Sequence, residues 1–245
     1  MSHFLSAPTL KLWAMPKVTP MGTRLMDVYQ RFYEAYGPQH WWPGDGPFEV
    51  IAGAILTQSA AWTNVMMALT KMRDANCWSF EAVHQMPEPE LAELVRSSGY
   101  FNAKARKLKA FATYVMVNYH GDLDRLFNQQ TTPLRKELLS IHGIGEETAD
   151  DIMVYAASKP SFVIDTYTRR IMDRLEMTPD VPHPKYLDYQ AMFHGHIKTD
   201  VPLYNEFHAL WDHHAKMVCA KTNPTCSDCC LLDICPTGKQ FTAGS

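Results

Sequence analysis

No apolar stretch in this chain approaches the ~20 residues a membrane-spanning helix requires, so a spanning role is set aside. Nor is there an excess of positive charge. Lys and Arg number 23 against 26 Asp and Glu, giving a net charge of −3 at pH 7 and a pI near 6.4. Binding to nucleic acid through overall charge is therefore disfavoured, and only a local basic patch would serve. Internal repeats, low-complexity segments and convincing strand-type alternation are all missing. The periodicity is helical throughout, so the expected class is all-α. Cysteine is sparse outside one place: of six, five lie between Cys219 and Cys235. The sixth, Cys77, reads as a small buried hydrophobe. The opening MSHFLSAPTLKLWAMPKVTP has two lysines, scattered prolines and no continuous apolar core, so it reads as an arm with Trp13 as its anchor, not as a signal peptide. A cytosolic chain follows, and in a reducing compartment the cysteine cluster points to metal before disulfides.

A chain of 245 residues is long enough for one large core or two lobes. Residues 24–36 place Leu25, Val28, Phe32 and Tyr36 on one side of a helix that Gly37-Pro38 ends. The loop GPQHWWPGDGPFE follows, with Trp41 and Trp42 either capping the core or lining a pocket for a flat ligand. Residues 48–68 read as one long helical region, too apolar at first for a surface helix, whose polarity breaks at 56–59. Gln58 and Trp62, four apart, then share a side. Another helix is expected over 82–98. A basic amphipathic helix follows Gly99, with Leu108, Phe111 and Val115 inward. Further helices are expected over 168–175, 186–194 and 204–218. The basic clusters are Lys104, Arg106, Lys107 and Lys109; Arg169 and Arg170; and Lys216 and Lys221. Each could equally be a solvated helix face.

The stretch that organises the chain is LLSIHGIGEETADDIMVYAASKPSFVIDTYTRRIMDRL, residues 138–175. Gly143-Ile144-Gly145 forms a tight turn between two helical runs. Glu146 and Glu147 open the second run, where negative charge suits the helix dipole, and Ala149, Ile152, Met153 and Ala156 repeat on one face. The free N–H groups of such a turn can hold a phosphate, although the same turn also serves as a plain connection between core helices. Past Lys159-Pro160, Asp165 closes an apolar run and opens the next polar helix.

With Gly143, Ile144, Gly145, Thr148 and Ala149 followed by Ile164-Asp165-Thr166-Tyr167, the stretch resembles the endonuclease III superfamily of DNA glycosylases. That family is named for its hairpin, a Gly/Pro-rich loop and a catalytic Asp. Gly99-Tyr100-Phe101-Asn102-Ala103-Lys104-Ala105 also matches its pattern. Leu56-Thr57-Gln58 resembles its intercalating element at a spacing one residue shorter, and His213-His214-Ala215-Lys216 resembles its H-G-R element. Where bifunctional members carry a lysine nucleophile, this chain has Glu147. Together with W-W-P and L-T-Q, that departure resembles the 3-methyladenine glycosylases of the class. The spacing Cys219-x6-Cys226-x2-Cys229-x5-Cys235 differs from the paired knuckles usual for zinc and looks like the family's [4Fe–4S] loop, with Cys230 to spare.

The resemblance covers about residues 22–235 and implies two helical lobes with a DNA cleft between them. The expected divisions are an arm over 1–20, a lobe of 21–44 plus 159–245 holding the cluster, and a lobe of 45–158 holding the hairpin. It implies a monomer on double-stranded DNA, away from membranes. Asp165 would be catalytic, Gln58 would fill the vacancy left by a flipped base, and Trp41, Trp42 and Trp62 would form the base pocket. Gly143, Ile144, Gly145, Lys216 and Lys221 would meet the DNA backbone. The expected activity is monofunctional excision of an alkylated purine. Alternatives are uracil or thymine mismatch excision, oxidised-pyrimidine excision, or a non-catalytic iron–sulfur DNA-binding protein.

Overall fold

The computed structural model describes residues 19–42 and 44–243, and every regular element among them is helical. The arm expected over 1–20, with Trp13, lies outside the described residues except at its last two positions. There, the Thr19 hydroxyl accepts the Gly22 N–H at 3.0 Å and Pro20 supplies a first-turn φ, which starts α1 (Pro20–Tyr36). Leu25, Val28 and Phe32 form its buried stripe. Helix α2 (Pro47–Thr57) is buried on all sides from Glu49 to Leu56. Its one charge, Glu49, is satisfied by the Asp45 N–H at 3.0 Å and the Arg73 guanidinium at 3.2 Å.

Two expected helices prove to be interrupted. The region 48–68 divides into α2 and α3 (Trp62–Asp74), because Gln58 leaves the helical region and Ser59 adopts a left-handed φ of 54°. Gln58 and Trp62 are therefore not one helical turn apart. The region 82–98 divides into α4 (Phe80–Gln85), α5 (Glu88–Leu94) and a 3-10 turn, Arg96–Ser98. Pro87 is the cause: it forces Met86 to extended geometry and has no N–H to continue the ladder.

Next come α6 (Phe101–Tyr119), α7 (Leu123–Phe127), α8 (Thr131–Ser140) and α9 (Glu146–Asp151), the last continuing as a π-helical segment, Ile152–Ala156. The chain ends with α10 (Thr166–Arg174), α11 (Tyr186–His196), α12 (Val201–Met217) and α13 (Pro236–Ala243). Two hydrophobic cores result. One gathers Ile51, Leu56, Phe111, Leu138 and Met153 from α2 to α9 and the π-helical segment. The other gathers Phe32, Phe162, Phe193, Phe207 and Trp211 from α1 and α10 to α12 with the chain leading into α10.

Fully buried Asp150 joins the two cores. It takes two 2.8 Å bonds from Arg135 of α8, one from Ser161 and one of 2.9 Å from Gln190 of α11. A buried carboxylate with four donors is tolerable, whereas losing any of them leaves an uncompensated charge. Among the described residues, no helix is long and apolar enough to cross a membrane.

Candidate active site

A cleft of about 1210 Å³ opens between the two cores. Two rows of side chains face each other across it. Glu147 and Asp151 line one side from α9, and His208, Asp212 and Lys216 the other from α12, each four residues from the next. Tyr155, four residues beyond Asp151 on the π-helical continuation, lies behind them against Trp42 and His208. Asp165 enters from the segment before α10. Trp41, Trp42, Trp62, Gln58, Gly143, Ile144, Gly145, Glu147 and Lys216 also line the cleft, so apart from the four cysteines and Lys221 the site residues expected from the sequence meet there. Lys221 is exposed on the cysteine segment.

Asp165 is the N-cap of α10. One of its oxygens accepts the Thr168 N–H at 2.6 Å, and the other lies 3.8 Å from His208 Nε2. The Glu147 side chain is exposed to the cleft, but the walls packed around it desolvate its carboxyl and, with the charge of Asp165 second, push it up to about 7, with Arg169 opposing. Asp151 is also raised well above the usual carboxylate range, by burial and then by Glu147 and Asp165. Folding therefore takes up a proton at Glu147 between pH 4.5, where the unfolded chain loses it, and about 7. That contribution to stability is present at low pH and lost as pH rises through this window. Glu147→Gln is expected to match the wild type near pH 4 and to be more stable at pH 8, by on the order of 2 kcal/mol. Urea titrations at both values check this; equal midpoints for the two proteins at pH 8 would refute it.

The aromatic wall is tightly built. Trp42 meets Trp62 edge-on at 5.3 Å, Trp41 at 5.6 Å and Tyr155 at 5.3 Å. Gly53 permits this, since a Cβ there would lie 3.0 Å from the Trp42 ring. The Lys216 ammonium sits 5.6 Å over Trp41 and pairs with Asp212 at 2.7 Å. The indole N–H groups of Trp41 and Trp42 are buried with no acceptor among the described residues, an unmet demand of the kind a ligand satisfies.

Gln58 is folded onto the hairpin. Its amide donates to the Gly143 carbonyl at 3.2 Å and to the Thr148 hydroxyl at 2.9 Å, and its oxygen accepts from Lys107. Gly143 has a φ of +86°, and a Cβ there would lie 2.2 Å from Lys107 Cγ. Glycine is needed both for the turn and for Lys107 to cross it. Buried Lys104 donates to the carbonyls of Leu56 and Ser98, which fixes the end of α2 just before Gln58; burial lowers its ammonium to about 8.

Cys219, Cys226, Cys229 and Cys235 ring a second, small apolar pocket behind α10 and α12. The sulfurs accept hydrogen bonds: Cys219 from Arg174 at 2.9 Å, Cys229 from the Leu231 N–H at 3.4 Å and Cys235 from the Gly238 N–H at 3.2 Å. Cys230 is not part of the ring and lies against the Tyr36 hydroxyl at 3.8 Å. Burial pushes the Cys229 thiol up to about 12, so bare thiolates are disfavoured there. Among the described residues no three His, Cys, Asp or Glu converge as ligands of a single metal ion. Four cysteine sulfurs around one small apolar pocket suit an iron–sulfur cluster, held by four thiolates, in place of a single ion.

Sequence reasoning missed Asp151, Tyr155, His208 and Asp212. Their four-residue spacing from Glu147 and Lys216 was a signal in hindsight, but such spacing occurs on any helix. Only the facing of α12 against the segment after α9 gives it meaning.

The family model for HhH-GPD superfamily base excision DNA repair proteins matches residues 52–192. A Methanocaldococcus jannaschii protein provisionally described as a DNA repair glycosylase is 36% identical over 210 residues, covering 85% of this chain and 94% of its own. The endonuclease III of Sulfolobus acidocaldarius is 27% identical, covering 77% and 81%. Among solved structures, a non-covalent endonuclease III–DNA complex superposes with a TM-score of 0.78 at 21% identity, covering 91% of this chain and 98% of that one. The H. pylori 3-methyladenine DNA glycosylase bound to 1,N6-ethenoadenine superposes with a TM-score of 0.69 at 23% identity, covering 81% and 98%. At these identities the superpositions establish the fold.

Proposed function

Because this chain belongs to the HhH-GPD superfamily of base excision DNA repair proteins, as a DNA repair glycosylase, we propose that it removes alkylated purines by hydrolysis alone. The observation that carries this reading is the composition of the cleft: a carboxylate cluster and three tryptophans, with Glu147 where a lysine nucleophile would stand. A glycosidic bond in a duplex is reached only after the nucleotide is flipped out of the stack. As the base departs, the sugar develops oxocarbenium character. Asp165 stabilises that charge and orients or deprotonates the attacking water. A free base and an abasic site result. Glu147 has no amine to form a Schiff base.

The alkylpurine assignment rests on charge. Burial and the charge of Asp165 raise the carboxyls of Glu147 and Asp151, so the empty cleft disfavours their ionised forms. A cationic base entering the cleft lets these carboxyls ionise and pairs with them, and the faces of Trp41, Trp42 and Trp62 attract it further. A neutral base gains only the stacking. Gln58, released from the hairpin, is the residue that would fill the vacancy in the duplex. Gly143, Ile144, Gly145, Lys216 and Lys221 are the proposed backbone contacts. The chain is proposed to act as a monomer in two lobes, 21–44 with 159–245 and 45–158. Cys219, Cys226, Cys229 and Cys235 would hold a [4Fe–4S] cluster, which when bound supplies cationic iron to four thiolates and so pins the C-terminal segment.

The test is base release from duplexes carrying one 3-methyladenine, uracil or oxidised pyrimidine. Release from the first is expected to dominate. Trp62→Ala should lower it by tenfold to a few hundredfold, since base–aromatic stacking is typically worth about 1–3 kcal/mol. A smaller loss is expected on a neutral lesion. Equal losses that track lost stability would return the substrate to mismatched or oxidised pyrimidines.

Borohydride should trap no covalent adduct with abasic DNA. A trapped adduct that disappears in Lys216→Ala would replace the hydrolytic reading with one in which Lys216 is the nucleophile.

A further inference from the structure

His208 is 7% exposed, lies on the α12 wall of the cleft and belongs to none of the sequence motifs. Its Nδ1 is 2.5 Å from the Tyr155 hydroxyl. Burial first, and the surrounding carboxylates Asp151, Asp212 and Asp165 next, raise the Tyr155 phenol well above its ordinary range, so it keeps its proton. Among the described residues Nδ1 is the one acceptor within reach of that proton, so the hydroxyl is the donor. Nδ1 is therefore an acceptor, and the ring proton is on Nε2. That nitrogen is buried with no hydrogen-bond partner among the described residues. Among the described residues, Asp165 is the one carboxylate within 4.0 Å of the ring, its Oδ2 lying 3.8 Å from Nε2. The other oxygen of Asp165 is already committed to the Thr168 N–H. The free oxygen, the one available for chemistry, thus faces an orphaned N–H donor.

We infer that His208 is a positioning residue for Asp165: Tyr155 fixes its tautomer, and its Nε2–H steadies the free carboxylate oxygen when the cleft closes on DNA. The 3.8 Å separation is too long for a hydrogen bond, and a small rotation of either side chain closes it. The assignment rests on Asp165 being the catalytic carboxylate. A hydrogen bond to an ionised group in a site sealed from water is among the stronger ones, so its loss is felt in the chemical step.

The test compares His208→Ala, His208→Gln and Tyr155→Phe in the full chain, alone and with Asp165→Asn, on methylated duplex DNA. His208→Ala is expected to lower kcat by about 10- to 100-fold with little change in KM. His208→Gln, whose amide N–H reaches the same oxygen, should recover most of the loss. In the Asp165→Asn background His208→Ala should have no further effect, since the two act as a unit. Wild-type turnover in His208→Ala, or equal losses in His208→Ala and His208→Gln, would overturn the inference.

Histidine 15N spectra give a readout independent of activity. His208 should be protonated at Nε2, lose that preference in Tyr155→Phe and shift in Asp165→Asn. If the wild type releases no base, the functional reading fails and these spectra decide alone. A His208 resonance indifferent to Asp165→Asn would then sink the positioning role.

Discussion

Asp165→Asn is expected to lower base release by about 10³-fold or more while leaving folding and DNA affinity intact. The size follows from two roles lost together: electrostatic stabilisation of the developing oxocarbenium ion and activation of the water, each typically worth 10²-fold or more. Folding should survive because Asn caps a helix about as well as Asp. Its side-chain oxygen can still accept the Thr168 N–H that starts α10. Asp165→Ala, by contrast, should also lose about 1 kcal/mol of stability through the missing cap. Binding should be unchanged or tighter, since one negative charge leaves a cleft that meets phosphates. Single-turnover base release, gel-shift affinity and thermal melts on the same preparations separate these effects. Near-wild-type turnover in Asp165→Asn would reduce Asp165 to a cap and shift the chemistry to Glu147 or Asp151.

Replacing Cys229 or Cys226 by Ser is expected to remove the cluster and most of the soluble protein, whereas Cys230→Ser and Cys77→Ser should keep both. The contrast between adjacent residues is the informative part. Cys229 lines the four-sulfur pocket, and Cys230 faces Tyr36 instead. The segment from Cys219 to α13 offers little to the core: among its apolar side chains Leu231 is fully covered. Without a core of metal to close it, such a segment lacks the buried area to hold itself together. Purified protein should be yellow-brown, with about four irons per chain. Stoichiometric zinc without iron, in anaerobic preparations as well, would replace the cluster with another metal. Retention of the chromophore in Cys229→Ser together with its loss in Cys230→Ser would reverse the ligand assignment.

The sequence by itself carried the parts of this protein whose physics is local. Helical periodicity marked α1, α6, α10 and α12, because a buried stripe imposes its spacing on each helix separately. The glycine turn at 143–145 was legible for a like reason: a φ of +86° at Gly143 is a demand that few other residues meet. The crowding of five cysteines into residues 219–235 was legible in the spacing, although which four share a pocket was not. Short-range interruptions were less legible. The break at Ser59 and the division at Pro87 depend on a few torsion angles that periodicity averages over.

What the tertiary structure decided is everything that depends on two distant segments meeting. Trp42 reaches Trp62 because Gly53 leaves room for its ring. Cys229, and not Cys230, turns into the pocket. Gln58 is held by Lys107 and the hairpin, 49 and 85 residues away along the chain. The carboxyls of Glu147 and Asp151 are raised because burial and Asp165 act on them together, and His208 gains a role because α12 brings it against Tyr155 and Asp165. A charge or a hydrogen-bond donor acquires its chemistry from neighbours within a few ångströms. Here those neighbours come from separate helices, and packing the two cores against each other is what makes them neighbours.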